Sequence, residues 1–270
     1  MAIAAIIGSV IIGVLVLGWI GLQIKPKPFE SFSGTSSSIT QVPLPSHLPV
    51  PVERFYRELY GDTIPLIDSA VISGRATMRV NGITFPARYR FVHLTGQAYR
   101  HYIEATLFGL PIMKVSEHYL DGNARMELPF GVTENEPKVN QGANLALWAE
   151  AMWFPSIFIT DPRVQWEAID ESTAAMKVPF EDEMETFLLR FDPDTGLLDS
   201  MQSMRYKGAD SEKKTVWINQ ALEWDQVDGS RIPSVGAVTW FDEGSPWAVF
   251  RVESLVLNAD VRDFIRADGP

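Results

Sequence analysis

Apolar side chains run from residue 1 to residue 24 without a single charge, and then lose all periodicity through a Ser-, Thr- and Pro-rich stretch that reaches residue 50. The first block is comparable to the roughly 20 residues that cross a bilayer core, so it predicts one transmembrane helix. No Lys or Arg precedes it and no small-x-small exit follows it, which favours an uncleaved anchor over a cleaved signal peptide. The second block, residues 25–50, predicts a flexible, partly extended linker. Pro51, the Glu53/Arg57 pair, the apolar face of Phe55, Tyr56 and Leu59, and Gly61 as a stop then predict a short amphipathic helix.

From Leu66 the period becomes two. Residues 70–80 and 83–94 flank Asn81-Gly82, a strong hairpin signal, and the second of these strands alternates Phe85, Ala87, Tyr89 and Phe91 with Thr84, Arg88 and Arg90. Residues 99–108, 112–120 and 124–128 continue the meander, with 134–140 as a polar loop. After residue 164, further strands are separated by Glu171-Ser172, by Asp192 to Gly196, by Asp228-Gly229 and by Gly244 to Pro246. The count is about eleven strands, too many for a flat sheet without curling.

One block interrupts this alternation. Between Gly142 and Phe154 no residue is β-branched, Ala and Leu dominate, and Pro155 ends the run, which predicts a helix over 142–154. Leu145, Trp148 and Met152 form one face and Leu147, Ala151 and Phe154 another, leaving Asn144 and Glu150 as its polar side chains. A helix apolar on nearly all sides must be covered on nearly all sides. The expected fold class is therefore mainly β (α+β), a curved antiparallel half-barrel of about eleven strands closing on a central apolar helix, with an N-terminal transmembrane helix. The expected domains are an anchor at 1–24, the linker at 25–50 and an antiparallel β domain at 51–266.

Composition narrows the partners. The 270 residues carry a formal net charge of −11 and no Lys/Arg run, which disfavours nucleic acid and anionic lipid surfaces as main partners. No cysteine is present, which removes disulfides, thiolate metal sites and a lipidated cysteine anchor. Lys25 and Lys27 just after the apolar block would keep the following chain in the cytoplasm by the positive-inside rule.

The stretches 145–176, 190–206 and 228–241 resemble an uncharacterised prokaryotic domain family that is usually membrane-anchored at its N-terminus, over about residues 51–257. The fold of that family is similar to the lipoprotein localisation factors, whose curved antiparallel sheet closes over helices and holds acyl chains. The resemblance implies a membrane-attached, single-pass protein with an extracytoplasmic domain of lipoprotein-carrier type, and no assigned activity. A soluble carrier would have a cleaved signal where this chain keeps an anchor.

Three candidate sites follow. The first is an apolar pocket between sheet and helix, lined by Trp148, Met152, Trp153 and Phe154 of the helix and by Phe91, Tyr102, Phe108, Trp166 and Trp240 of the strands; such residues equally describe a packed core. The second is Glu150, a carboxylate on an apolar helix that Arg88 or Arg90 could pair with. The third is His93, His101 and His118, on three successive strands, which could converge with Glu104 or Glu117 as a metal or acid-base site, although no HExxH or HxH spacing supports it and exposed strand histidines are the simpler expectation. No GxSxG elbow or Gly-rich phosphate loop exists, and the acidic runs at 181–185 and 192–196 read as turns rather than calcium loops. The expected function is non-catalytic binding of a lipid or other apolar ligand, with no cofactor and no metal. The alternatives are an envelope scaffold that docks a protein through a sheet edge, and a hydrolase with a His/carboxylate site.

Overall fold

The computed structural model describes residues 2–266. Helix α1 (Ala2–Gln23) is followed by β1 (Gln41–Pro43), α2 (Val50–Tyr60) and β2 (Thr63–Pro65), and β1 pairs with β2. Six strands then form a meander: β3 (Ser69–Val80), β4 (Ile83–Leu94), β5 (Ala98–Leu107), β6 (Leu110–Leu120), β7 (Asn123–Leu128) and β8 (Gly131–Glu134). Helix α3 (Pro137–Ala149), a 3-10 turn (Glu150–Trp153) and the short α4 (Ile157–Thr160) lead to a second meander. It contains β9 (Gln165–Ala168), β10 (Thr173–Phe180), β11 (Glu183–Phe191), β12 (Leu198–Arg205), β13 (Thr215–Val227), β14 (Ser230–Trp240) and β15 (Pro246–Leu257), and α5 (Arg262–Ile265) follows it.

The two meanders are one antiparallel sheet of thirteen strands, in the order β8-β7-β6-β5-β4-β3-β15-β14-β13-β12-β11-β10-β9. Helix α3 contacts β6 and β7 on one wing and β10 and β12 on the other, so a sheet of this width has to curve around it. The thirteen strands exceed the expected eleven partly because β8 occupies residues where no strand was expected. Asn81-Gly82 and Asp228-Gly229 close hairpins with both residues at positive φ, the twist-matched turn that the sequence signalled.

The central helix starts five residues before the expected Gly142, with Pro137 in its first turn, and tightens at Glu150. Polar residues of the helix, among them Asn140 from the stretch read as loop, are used as ties. Asn140 Oδ1 accepts the Ala124 N–H at 2.8 Å, Gln141 Nε2 donates to Met204 O at 2.9 Å, and Asn144 Nδ2 donates to Pro179 O at 3.1 Å. Both wings of the sheet are thereby fastened to one helix. Helix α2 covers the far end of the core: Phe55 packs on Phe191 and Trp224, and the Tyr56 hydroxyl donates to Pro155 O at 2.7 Å.

Of residues 25–50, read as a flexible linker, 29–36 lie against the outer side of the sheet, while β1 pairs with β2 and Val42, Leu44 and Leu48 pack against the core. Phe29 sits under the Arg88 guanidinium at 4.4 Å, Arg90 donates to Glu30 O, Phe32 meets Phe264 edge-on, and Ser36 bridges Ala259. The cationic face of β4 is thus covered by chain rather than left to solvent. Helix α1 is long and apolar enough to cross a membrane. Its last turn touches the β5–β6 hairpin, where the Phe108 N–H donates to Gly21 O at 2.9 Å, and a Cβ on Gly21 would come within 2.7 Å of Leu107 and Phe108 side-chain atoms.

A cavity between sheet and helix

A cavity of about 300 Å³ lies between the concave face and the central helix. The helix contributes Ala146, Ala149, Glu150 and Trp153, which share one face at i, i+3, i+4 and i+7, and Met152, which the 3-10 tightening turns toward them. Strands add Phe91, Ile103, Trp217, Trp240, Trp247 and Phe250. The wall is mainly apolar with a few polar groups, the composition of a small-molecule pocket, and its volume lies at the lower end of the roughly 300–1,000 Å³ such pockets span. Lys207 is exposed at the rim, while His101, Trp153 and Phe250 are buried.

Of the ten expected ligand contacts, Phe91, Glu150, Met152, Trp153 and Trp240 line this cavity and five do not. Trp148 is 1% exposed in the solid core on another side of the helix. Phe154 packs on His93 and lines a separate cleft near α2. Trp166 lies on the edge strand β9 and donates to Phe158 O at 2.9 Å. Tyr102 faces outward, donating to Glu104 at 3.0 Å, because β5 turns its odd-numbered residues 99, 101 and 103 toward the helix. Phe108 is exposed at a hairpin tip beside α1.

Glu150 pairs with neither Arg88 nor Arg90. Those arginines stand at even positions of β4, on the outer face, where Arg88 meets Glu104 at 2.6 Å. Glu150 Oε2 instead lies 2.7 Å from His101 Nε2 and 2.9 Å from His93 Nε2. Both histidines are buried rather than exposed, since they share the inward phase of Phe91 and Tyr99. His118 pairs across the sheet with Arg100 and Arg125 and takes no part. Glu117 faces inward and accepts from the Tyr99 hydroxyl.

The donor atoms of His93, His101 and Glu150 lie within 4.8 Å of one another, a ligand set that zinc accepts. Two features fit a hydrogen-bonded triad better than a metal centre. The carboxylate oxygen is hydrogen-bonded to His101 Nε2 at 2.7 Å with His93 Nε2 in poorer alignment at 2.9 Å, and His93 Nδ1 has no acceptor of the kind that orients a metal-bound imidazole. Burial pushes the Glu150 carboxyl up, but the charge and hydrogen bond of His101 and the hydrogen bond of His93 outweigh it and hold the group at about 2. Burial lowers the His93 pKa against the pull of Glu150, so that imidazole stays neutral beside the anion.

The remaining polar wall is a group the sequence reading passed over. Arg205, at the end of β12, makes no ion pair or side-chain hydrogen bond among the described residues; its guanidinium stacks over Trp217 at 4.3 Å. Gly142 makes room for it, since a Cβ there would stand 3.0 Å from Arg205 Nε. Arg205 shares the inward phase of Met201 and Ser203, and a charged residue in an inward position is the signal that could have found it.

No curated protein sequence matches the chain. Among solved structures, a LolA superfamily protein from Nitrosomonas europaea is similar at 10% identity over 81% of this chain and 96% of that one, with a TM-score of 0.49. A domain from Vibrio parahaemolyticus described as an outer membrane lipoprotein-sorting protein is similar at 9% identity over 73% and 89%, with a TM-score of 0.43. Residues 37–252 match the model of DUF6544, described as a family of unknown function, and the chain belongs to that family.

Proposed function

We propose that the domain binds a lipid or similar apolar molecule in the cavity between sheet and helix and leaves it chemically unchanged. The observation that carries this reading is the cavity itself, a gap of about 300 Å³ walled mainly by apolar side chains where a solid core would favour a scaffold. Its volume suits one acyl chain better than two. Each methylene buried contributes about 0.8 kcal/mol, so affinity should climb with chain length until the cavity is full and then level off. Native mass spectrometry of the intact chain with saturated alcohols and acids of increasing length measures this; no retained ligand at any length would defeat the reading.

In the same reading α1 stays as a membrane anchor and the domain lies outside the cytoplasm. Strand register supports a mouth that faces the bilayer. Arg205 pairs with Thr215, Trp217 with Trp240, Ala248 with Met78 and Val80 with Ile83, so the rim of the cavity and the hairpin held by Gly21 are at one end of the strands. Protease added to intact cells should digest the domain, and a domain left whole while a known surface protein is degraded would reverse the orientation.

A second reading rests on the His101–Glu150 pair in the cavity wall, where an imidazole bonded to a buried carboxylate is a candidate base toward water. Among the described residues no Ser, Thr or Cys lines the cavity to act as nucleophile. Hydrolysis of acyl p-nitrophenyl esters that disappears in Glu150→Gln would put this reading ahead.

A further inference from the structure

A ligand that is only apolar leaves part of the cavity wall unexplained. Four of its lining residues carry buried N–H groups without a partner: Arg205 Nε, Trp217 Nε1, Asn219 Nδ2 and Trp247 Nε1. All four are donors. Buried donors are nearly always paired, and leaving one unmet costs about 1–3 kcal/mol, so four on one wall mark a place where acceptors are meant to arrive. The charges lining the cavity sort the same way. Lys207 is held by Asp242 and Glu243 at 2.9 and 3.0 Å, Glu117 accepts from Tyr99, and Glu150 is shared by two imidazoles. Arg205 alone makes no ion pair; burial in this wall disfavours its guanidinium, and the nearby carboxylates of Glu117 and Glu150 offset only part of that.

We infer that the cavity takes an anionic single-chain amphiphile, with its carboxylate or phosphate head on Arg205 and its chain running along Phe91, Trp153 and Phe250. The inference rests on the ligand-binding reading above and names the chemical class of the ligand. A guanidinium offers a forked set of donors that matches a planar or tetrahedral oxyanion. A neutral alcohol or ester offers fewer acceptors and no charge, so it leaves Arg205 uncompensated. The Trp217 and Trp240 rings, at 4.3 and 5.8 Å from the guanidinium, fix its plane before the ligand enters.

The test uses the full chain in phosphatidylcholine nanodiscs with three ω-diazirine probes of equal length: dodecanoic acid, dodecyl phosphate and dodecanol. Crosslinks are mapped by peptide mass spectrometry. The acid and the phosphate should label peptides carrying Trp153 or Phe250, and Arg205→Met should cut that labelling about tenfold, the loss of one charge-assisted hydrogen bond, while dodecanol labelling stays as it was. Arg205→Lys, which keeps the charge, should recover part of it; unchanged circular dichroism of both variants checks the fold. Equal labelling by all three probes, unaffected by Arg205→Met, would overturn the anionic class and leave the apolar pocket standing. Absence of cavity crosslinks from every probe would remove both.

Discussion

Trp148→Ala will destabilise the domain by about 3–5 kcal/mol without weakening ligand binding by the protein that stays folded. Trp148 is 1% exposed, its indole stands off the cavity, and it packs against the turn at Gly96 beneath Arg163. Truncating a buried Trp removes its transfer energy and leaves a void that a tied helix cannot close, because Asn140, Gln141 and Asn144 hold the helix to both wings. At about 2–4 °C per kcal/mol for a domain of this size, the melting point should drop by roughly 6–20 °C. Urea denaturation beside chain-length titration of the same variant checks both halves. A variant of normal stability with lost binding would place Trp148 in the ligand site instead.

Acid will loosen the domain through Glu150. Its folded pKa of about 2 lies below the 4.5 of a free Glu, so as pH falls the unfolded chain takes up the proton first. The contribution is whole above pH 4.5 and is lost as pH falls toward 2, about 3 kcal/mol in all. His93 acts in the same direction from a higher starting point. Its folded pKa is lowered from 6.5, so the unfolded chain again binds the proton more readily and stability declines as pH drops below that value. Denaturation midpoints for the wild type and Glu150→Gln, measured from pH 7 to pH 2.5, should converge as acid removes the charge the variant lacks. Parallel curves would mean that the triad does not stabilise the fold.

Strand phase made the site partly legible. Tyr89 and Phe91 announce the inward face of β4, and the same phase carries His93 inward; Tyr99 does so for His101. Both histidines could therefore have been placed on the helix-facing side of the sheet from the alternation alone. Reading them as exposed gave residue type more weight than position. Tyr102 and Phe108 failed for the same cause, being counted as aromatic without regard to their even positions. On the helix, a regular 3.6 repeat already sets Trp153 on the face of Ala146, Ala149 and Glu150 but groups Met152 with Trp148; the chain tightens at Glu150 and rotates Met152 toward the cavity while Trp148 stays in the core. Periodicity cannot report such a change of pitch. The start of the helix, 137–140, looked like loop because its anchoring side chain, Asn140, bonds to a strand outside the helix, and local propensity holds no record of that partner.

The seam of the sheet has a consequence for the order in which the molecule can be built. Every neighbouring pair in the thirteen-strand sheet is consecutive in sequence except β3 with β15, which run antiparallel from Ala70 opposite Leu257 to Met78 opposite Ala248. Each meander can close hairpin by hairpin as the chain emerges, at the speed of local contacts. The seam cannot. During synthesis of the second meander the twelve-residue β3 presents an open edge, whereas the edges of the finished sheet, β8 and β9, are only four residues long. A long unpaired strand is a template for pairing with another chain. β3 is therefore the strand most open to wrong partners until Leu257 has left the ribosome.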